Sequence, residues 1–438
     1  MNKKILRLAI PNIISNVSIP LLGLVDLSLM GHLKSEIYIG AVSLGTVIFN
    51  FIYWGFGFLR MSTSGFTAQS YGRQDEKENF SILVRAMFVS ILISLLIIAL
   101  QFPIEWISFK LINGSREVED LARQYFRIRI WAAPATLGLY VLNGWFLGVQ
   151  NARYPMMITI LANIFNLLFD LLFVVIFKMT SAGVALGTVI AQYLGLAIGL
   201  FLFFKKYGKL ISWWDWQAII DLSAITRFFR VNSDIFIRTF CIIAVFTFFT
   251  SKSASINDHI LAVNSLLIQF LLFFSFFIDG FAYAGEAMAG RFLGEKNRTK
   301  MKLLTQKLFL WSSVLALLFC FLFLFGNRLI LSILTNQKEI IETAQQYKYW
   351  IVLTPIVTFS SYIWDGIYIG ITASKEMRNS MLAATIFVFI PSYFLLHNRI
   401  GNHALWLSMM LFMLSRGIFQ TCYFPGIIRR LFLPKSTA

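Results

Sequence analysis

The chain has 438 residues, of which 58% are hydrophobic and only 13% are charged, whereas a soluble globular protein has about 25% charged residues. This composition excludes an ordinary soluble domain, because a core of this size cannot bury so much apolar surface without lipid. The 38 Lys and Arg against 21 Asp and Glu give a net charge of +17. The positions of the basic residues along the chain decide whether they indicate a nucleic-acid partner or the topology of a membrane protein.

Apolar segments of about 20 residues, the length that crosses a hydrocarbon core, predict twelve transmembrane helices. The predicted spans are 8–31, 37–59, 82–103, 125–149, 155–177, 182–204, 231–250, 260–289, 308–326, 347–371, 380–397 and 403–425. Basic residues concentrate in the loops on one side, for example Lys205, Lys206 and Lys209, while the opposite loops hold few. The positive-inside rule therefore predicts cytoplasmic termini, and topology explains the charge without a nucleic-acid partner.

The two halves of the chain resemble each other at a fixed offset. Gly366 matches Gly144 at an offset of 366 − 144 = 222, and the same offset relates Gly370 to Gly148. Six spans are an even number, so both halves enter the membrane in the same direction and should be related by a pseudo-two-fold axis along the membrane normal.

We therefore predict an all-α membrane protein with two six-helix lobes. The N-terminal lobe is 1–204, the cytoplasmic connector is 205–230 and the C-terminal lobe is 231–438. Trp213, Trp214 and Trp216 in the connector are typical of residues that anchor a protein at the membrane interface.

Polar residues inside the N-terminal lobe group at one depth. A charge at the centre of a membrane helix costs about 2.5–3.5 kcal/mol on insertion scales. Asp26 and Asp170 each precede an outer-loop lysine by the same spacing, and Thr188 lies at a similar depth. Asn166 is one turn from Asp170 on the same helix face. These four side chains predict a site for a proton or Na⁺. The alternative is a hydrogen-bonded cluster that only fastens helices.

Pro20 lies in the first span, on the same helix as Asp26. Proline has no N–H to donate to the preceding turn, so this residue should loosen or kink the first helix.

The C-terminal lobe lacks the matching cluster and has a different set of intramembrane charges. They are Asp234 and Arg238 in the seventh span, Asp279 and Glu286 in the eighth, and Asp365 in the tenth. An arginine among several acids indicates a charge-paired network that fastens the lobe. Direct contact with a substrate or an ion is the alternative.

Seven segments, in order along the chain, resemble the multidrug and toxic compound extrusion (MATE) family. They are IPNIISNVSIPLLGLVDLSLMGHL, LRMSTSGFTAQSYG, NIFNLLFD, AGVALGTVIAQ, NSDIFIRTF, DGFAYAGEAMAG and WDGIYIGITASKEMRNSM. The resemblance implies twelve helices in two lobes around a central cavity, and export of amphipathic, often cationic compounds driven by inward H⁺ or Na⁺.

The resemblance also assigns roles to individual residues. The family's N-lobe cation site falls on Asp26, Asn166, Asp170 and Thr188, which would be the metal ligands if Na⁺ is the coupling ion. The bend of the first helix falls on Pro20. Acids that relatives use for Na⁺ in the C-lobe match Asp365 only loosely.

We therefore expect a cation-coupled antiporter in the inner membrane of a bacterium, acting as a monomer on small amphipathic molecules. No cofactor is expected beyond the coupling ion. A flippase for lipid-linked precursors is the main alternative, although it should have basic residues facing its cavity. An enzyme is disfavoured because the chain has no HExxH or GxSxG motif. A channel is disfavoured because no polar filter is visible. The substrate and the choice between H⁺ and Na⁺ stay open.

Overall fold

The computed structural model describes residues 1–31, 36–111 and 115–432, and within these residues the chain folds into twelve long helices. They are α1 (Asn2–Gly31), α2 (Glu36–Gly55, continuing as Phe58–Arg73), α3 (Glu76–Ala99), α4 (Arg116–Arg129, continuing through the 3-10 turn Ile130–Ala132 as Ala133–Gly148), α5 (Arg153–Asp170, continuing as the π-helix Leu171–Ile176), α6 (Thr180–Tyr207), α7 (Leu222–Ile256), α8 (Asp258–Gly294), α9 (Arg298–Leu334), α10 (Lys348–Gly370), α11 (Ser374–Ala383, continuing through the π-helix Ala384–Phe389 as Ile390–Ile400) and α12 (Asn402–Phe432).

Shorter helices connect some of these elements. They are Gln101–Leu111 after α3, the 3-10 helix Gly208–Trp213 and the turn of helix Trp216–Ile219 after α6, and Lys338–Gln346 before α10. Ten helices among the described residues are long and apolar enough to cross a membrane. The predicted all-α membrane fold is therefore confirmed.

The turns between helices repeat at the offset found in the sequence. Gln74, directly after α2, has a φ of 59°, and Lys296, just past the end of α8, has a φ of 52°. The offset between these two residues is again 296 − 74 = 222. The next residue in each case, Asp75 or Asn297, caps the following helix by accepting a hydrogen bond from the backbone N–H three positions on. The predicted repeat is thus present in backbone conformation and capping.

The matching glycines make the same close contact in both halves. A Cβ on Gly144 of α4 would clash with the carbonyl oxygen of Arg60 in α2, and a Cβ on Gly366 of α10 would clash with that of Ala282 in α8. Arg60 and Ala282 are themselves related by the repeat offset. Only glycine lets the helix backbones approach this closely, which is a common device in membrane helix packing.

Several helices extend beyond their predicted spans. The second helix continues as Phe58–Arg73, where the hydropathy window had ended at 59, and fully buried hydroxyl residues fill that extension: Ser62, Thr63, Ser64, Thr67 and Ser70. An apolar window stops at such residues, whereas small hydroxyl side chains pack well between helices. Hydropathy therefore located the membrane spans correctly but underestimated the lengths of the helices.

Contacts divide the chain into two compact units, 14–228 and 1–13 together with 229–438. Ala9 and Ile13 of α1 lie against Gly280 of α8 within the second unit. The boundary between the units therefore falls inside α1, so the start of the first helix groups with the C-terminal half.

Replacing Gly366 with Ala should destabilise the C-terminal half, because the added methyl meets backbone atoms that cannot move independently. We expect the variant to lose about 1–3 kcal/mol in the free energy of unfolding, measured by denaturation of the purified protein in detergent. Gly326→Ala is the control, since its Cβ would meet only side-chain atoms at 3.7 Å or more. Equal stability of the two variants would contradict the close-approach role.

Candidate functional site

The polar face of α5 meets α6 in a buried cluster. Asn166 donates from Nδ2 to Oδ2 of Asp170 at 2.7 Å and lies 3.4 Å from Oγ1 of Thr188. Thr188 also donates to the carbonyl of Val184, one turn earlier on α6, at 2.9 Å. Asp170 is completely buried, and Asn166 and Thr188 are almost so. Three of the four residues predicted for the cation site therefore lie together.

A glycine on α6 makes room for the acid. A Cβ on Gly187 would clash with Oδ1 of Asp170 and would lie 3.2 Å from its backbone nitrogen. The carboxyl group therefore rests against the backbone of α6, next to Thr188. Sequence reasoning missed Gly187, although it directly precedes Thr188.

The backbone of α5 changes at the same point. Its α-helix ends at Asp170, and the π-helix Leu171–Ile176 follows immediately. A π-segment inserts extra chain into a turn and is frequent at functional sites.

The side chain of Asp26, the fourth predicted residue, lies outside the described residues, but the backbone of α1 sets its height. Asn163 of α5 donates to Oγ and to the carbonyl of Ser18 in α1, at 3.1 and 3.3 Å. Asp26 follows Ser18 on α1, and Asp170 follows Asn163 on α5, by about two helical turns each, or about 10–12 Å at 1.5 Å per residue. If α1 and α5 run in parallel, as the predicted spans require, the two acids lie at similar depth.

Pro20 follows the Ser18 contact closely along the same helix. α1 is continuous from Asn2 to Gly31, so proline does not end it. Because the Pro20 nitrogen carries no hydrogen, the turn from Asn16 to Pro20, which contains Ser18, lacks one helix hydrogen bond. Pro20 is therefore a point at which α1 bends more easily than a regular helix.

The cluster has the chemistry of a proton or alkali-cation site. A carboxylate with amide and hydroxyl oxygens is a donor set that hard cations accept, and a buried carboxyl also takes up a proton readily. An amide donor such as Asn166 stabilises the carboxylate of Asp170 without neutralising its charge. As placed, Asn166 turns Nδ2 to Asp170 and Thr188, which suits a carboxylate that takes up H⁺, and its amide oxygen would have to turn inward to serve as a ligand for Na⁺.

The C-terminal half holds its acid differently. Arg238 of α7 and Arg416 of α12 both donate to Oδ2 of Asp365 in α10, the second at 2.6 Å. Gln420 donates to Oδ1 of the same carboxylate at 2.7 Å. All four side chains are buried. Asp365 thus ties three helices together through two guanidinium groups and an amide.

Of the other predicted members of the C-lobe network, Asp279 lies near the Asp365 cluster, whereas Asp234 has different partners. Asp279 acts electrostatically on the Tyr362 hydroxyl, as do Arg238, Asp365 and Arg416. Asp234 of α7 forms an ion pair with Arg378 at 2.6 Å and accepts a hydrogen bond from Ser374 at 2.7 Å, both on α11. Glu286 is fully buried, and its carbonyl lies where a Cβ on Gly370 would be.

Sequence reasoning missed three residues of this network: Arg416, Gln420 and Arg378. A signal for the first two was present, because an arginine and a glutamine one turn apart inside the twelfth span share a helix face. Arg378 falls between the predicted spans 347–371 and 380–397, yet in the structure it belongs to the first turns of α11.

Comparisons with known proteins agree with this architecture. A family model described as MatE matches residues 11–172 and 235–394. One matched segment therefore lies in each half of the chain. The chain is 36% identical over 419 residues to DNA damage-inducible protein F of Escherichia coli (strain K12), covering 95% of this chain and 90% of that protein. It is 25% identical to multidrug and toxin extrusion protein 1 of Oryctolagus cuniculus, covering 98% of this chain and 75% of that protein.

A solved structure shares the fold. A multidrug resistance MATE family transporter of the MOP superfamily, in an outward-facing conformation, matches with a TM-score of 0.86 at 19% identity, covering 99% of this chain and 97% of that one. Two of these three names describe extrusion or transport. They favour neither a membrane-embedded enzyme nor a lipid flippase.

Gly187→Ala should disturb the buried acid, because its methyl would clash with Oδ1 of Asp170. We expect a loss of about 1–3 kcal/mol in the free energy of unfolding, measured by denaturation in detergent. Gly195→Ala on the same helix is the control, since its Cβ would meet the methyl group of Ala162 at 3.2 Å. If both variants lost the same stability, Gly187 would have no special relation to Asp170.

Asp365→Asn should destabilise the protein strongly, because it leaves Arg238 and Arg416 as uncompensated buried cations. Breaking a buried ion pair costs about 3–5 kcal/mol, whereas the exposed control Asp258→Asn should stay within about 0.5 kcal/mol of the parent protein. Asp365→Asn combined with Arg238→Gln should recover part of the loss in a denaturant titration. Unchanged stability together with lost transport would instead assign Asp365 to direct contact with substrate or ion.

Proposed function

This chain belongs to the multidrug and toxic compound extrusion (MATE) family of membrane transporters, and from that premise we propose that it is a cation-coupled antiporter. It exports amphipathic, cationic organic compounds by alternating access, in exchange for H⁺ or Na⁺. The proposal includes a bacterial inner membrane with both termini in the cytoplasm, for which the distribution of basic residues is the support. The protein acts as a monomer and needs no cofactor besides the coupling ion.

The observation that carries this proposal is the contact between Asn166, Asp170 and Thr188. Burying an acid in a membrane protein beside a neutral amide and a hydroxyl costs free energy. Such a residue therefore indicates a function. Asp26, at similar height on α1, supplies the second carboxyl group of the coupling site. Each H⁺ or Na⁺ bound there offsets one carboxylate charge, so two are needed to offset both acids.

The coupling step passes through α1. Asn163 holds Ser18 of α1 about two helical turns below the acids, and Pro20 lies between that contact and Asp26. Charge compensation at the acids changes how the upper part of α1 is held against α5 and α6, and the weakened turn at Pro20 lets that part bend. Bending of α1 then releases the substrate.

The C-terminal network has a fixed structural role in this scheme. Asp365 already carries two arginine partners, Arg238 and Arg416, so binding a further cation would require one of them to leave. The ion pair between Asp234 and Arg378 fastens α7 to α11. The coupling ion is therefore assigned to the N-terminal cluster alone.

The energy available from coupling is adequate. One elementary charge crossing a potential of 100 mV provides about 2.3 kcal/mol, and a hundredfold concentration difference requires about 2.7 kcal/mol. Export of a monovalent cation against the same potential costs about 2.3 kcal/mol more, which brings the total to about 5.0 kcal/mol. Roughly two to three inward charges per substrate are therefore needed on voltage alone, and the chemical gradient of the ion adds to this.

Efflux of ethidium from vesicles that contain the purified protein, under an imposed pH or Na⁺ gradient, tests the proposal. We expect Asp26→Asn and Asp170→Asn each to reduce gradient-driven efflux at least about tenfold, since loss of a coupling charge removes the driving interaction. Protein yield and monodispersity should stay close to those of the parent protein. Asp258→Asn, an exposed acid at the start of α8, is the control.

Two results would contradict the assignment. Undiminished gradient-driven efflux in both variants would remove the coupling role of the N-terminal cluster. Loss of folded protein, rather than of efflux, would mean that the cluster only fastens α5 to α6. Comparison of the two gradients in the parent protein identifies the coupling ion.

A further inference from the structure

The segment between α6 and α7 is folded against the N-terminal unit and is not a loose tether. Arg85 of α3 is buried and donates to the carbonyl oxygens of Ala218 and Ile219, at 2.8 and 3.2 Å. Lys77 of the same helix forms an ion pair with Asp215 at 2.7 Å. These contacts fix the segment at one height along α3.

The same segment carries an exposed apolar surface, of which Trp213 donates from Nε1 to Oε2 of Glu76 in α3 at 3.2 Å. Ile219 is buried against the protein, whereas its neighbour Ile220 is 63% exposed. Six large apolar side chains of this segment are exposed, and we call them the tryptophan ledge: Ile211, Trp213, Trp214, Trp216, Ile220 and Leu222. Trp214 and Trp216 lie edge to face, with ring centroids 5.1 Å apart. Tryptophan prefers the headgroup level of a bilayer, because its ring is amphipathic.

Lysines adjoin the ledge along the chain. Lys205 and Lys206 end α6, and Lys209 lies in the 3-10 helix that also contains Trp213. At about 2 Å rise per residue, Lys209 and Trp213 are about 8 Å apart along that helix. All three lysines are exposed. We call them the basic cluster.

The acids of the segment are engaged with the protein. The hydrogen bond from Lys77 lowers the pKa of the Asp215 carboxyl below its usual value. Asp221 accepts hydrogen bonds from the backbone N–H and the hydroxyl of Ser223, at 3.0 and 2.8 Å. Asp221 is exposed and keeps its negative charge, and Glu76 adds a second exposed carboxylate at the Trp213 indole. The three exposed lysines outnumber these two acids, so the charge beside the ledge is net positive.

We propose that the tryptophan ledge and the basic cluster form a binding site for the headgroup of an anionic phospholipid in the leaflet on this side of the membrane. The indole rings lie at the level of the glycerol backbone, and the lysines contact the phosphate. Charge complementarity selects an anionic headgroup over a zwitterionic one, since each basic residue near an anionic surface contributes about 1 kcal/mol, or roughly fivefold in affinity. The site does not depend on the transport reaction.

Native mass spectrometry of the detergent-purified protein tests this inference, with dioleoyl phosphatidylglycerol and dioleoyl phosphatidylcholine as probes. The parent protein should bind phosphatidylglycerol more tightly. Replacing Lys205, Lys206 and Lys209 together with Gln should weaken phosphatidylglycerol binding at least about tenfold and leave phosphatidylcholine binding unchanged. The matched control is the triple change of Lys296, Arg298 and Lys302 to Gln, which removes the same charge from another loop and should alter binding less than about twofold.

A second pair of variants tests the aromatic part. Trp216→Ala should weaken phosphatidylglycerol binding severalfold, whereas Trp106→Ala should not, although Trp106 is equally exposed at 61% against 63%. Equal effects of the two tryptophan changes, equal effects of the two triple changes, or equal binding of the two lipids would each overturn the proposal. Because binding is read directly, these outcomes are independent of whether the protein couples transport to a cation.

Discussion

A carboxylate buried between membrane helices must be balanced by hydrogen-bond donors, a proton or a cation, because neither lipid nor apolar side chains can solvate it. The two halves of this chain meet that constraint differently, although their turns and helix contacts repeat. Asp170 receives a neutral amide from Asn166, whereas Asp365 receives two guanidinium groups. A neutral donor leaves the negative charge of Asp170 in place, whereas two arginines compensate that of Asp365. The repeat therefore supplies the frame, and the choice of donor is what supports our proposal that the N-terminal half binds the coupling ion.

The parts of the fold that the sequence predicts are those controlled by local spacing. The internal repeat was visible in the sequence because Gly144 and Gly366 lie where two helix backbones touch. A side chain at either position would clash with the facing backbone. Asn166 and Asp170 were grouped because one helical turn places them on one face. Thr188 was added by depth, since both helices share the outer loop that connects them.

Contacts between helices that are distant along the chain could not be predicted in the same way. Arg416 and Asp365 are 51 residues apart, and no periodicity states that α10 and α12 touch at those positions. Hydropathy also treats a buried arginine as an interruption, whereas the structure gives it a carboxylate. Gly187 illustrates a further limit: absence of a side chain leaves no chemical signal, yet it admits the carboxyl group of Asp170 to the backbone of α6.

Arg85 shows how one intramembrane charge affects the rest of the chain. It lies inside the predicted third span, and in the structure its guanidinium group holds two carbonyl oxygens of the segment after α6. That segment is thereby kept against the first turns of α3, so that α7 begins at Leu222 from an anchored point. The boundary between the two compact units then falls within α7, at Phe228, and within α1, at Ile13. Continuous helices carry the chain across both boundaries, so no loop separates the two units at either point.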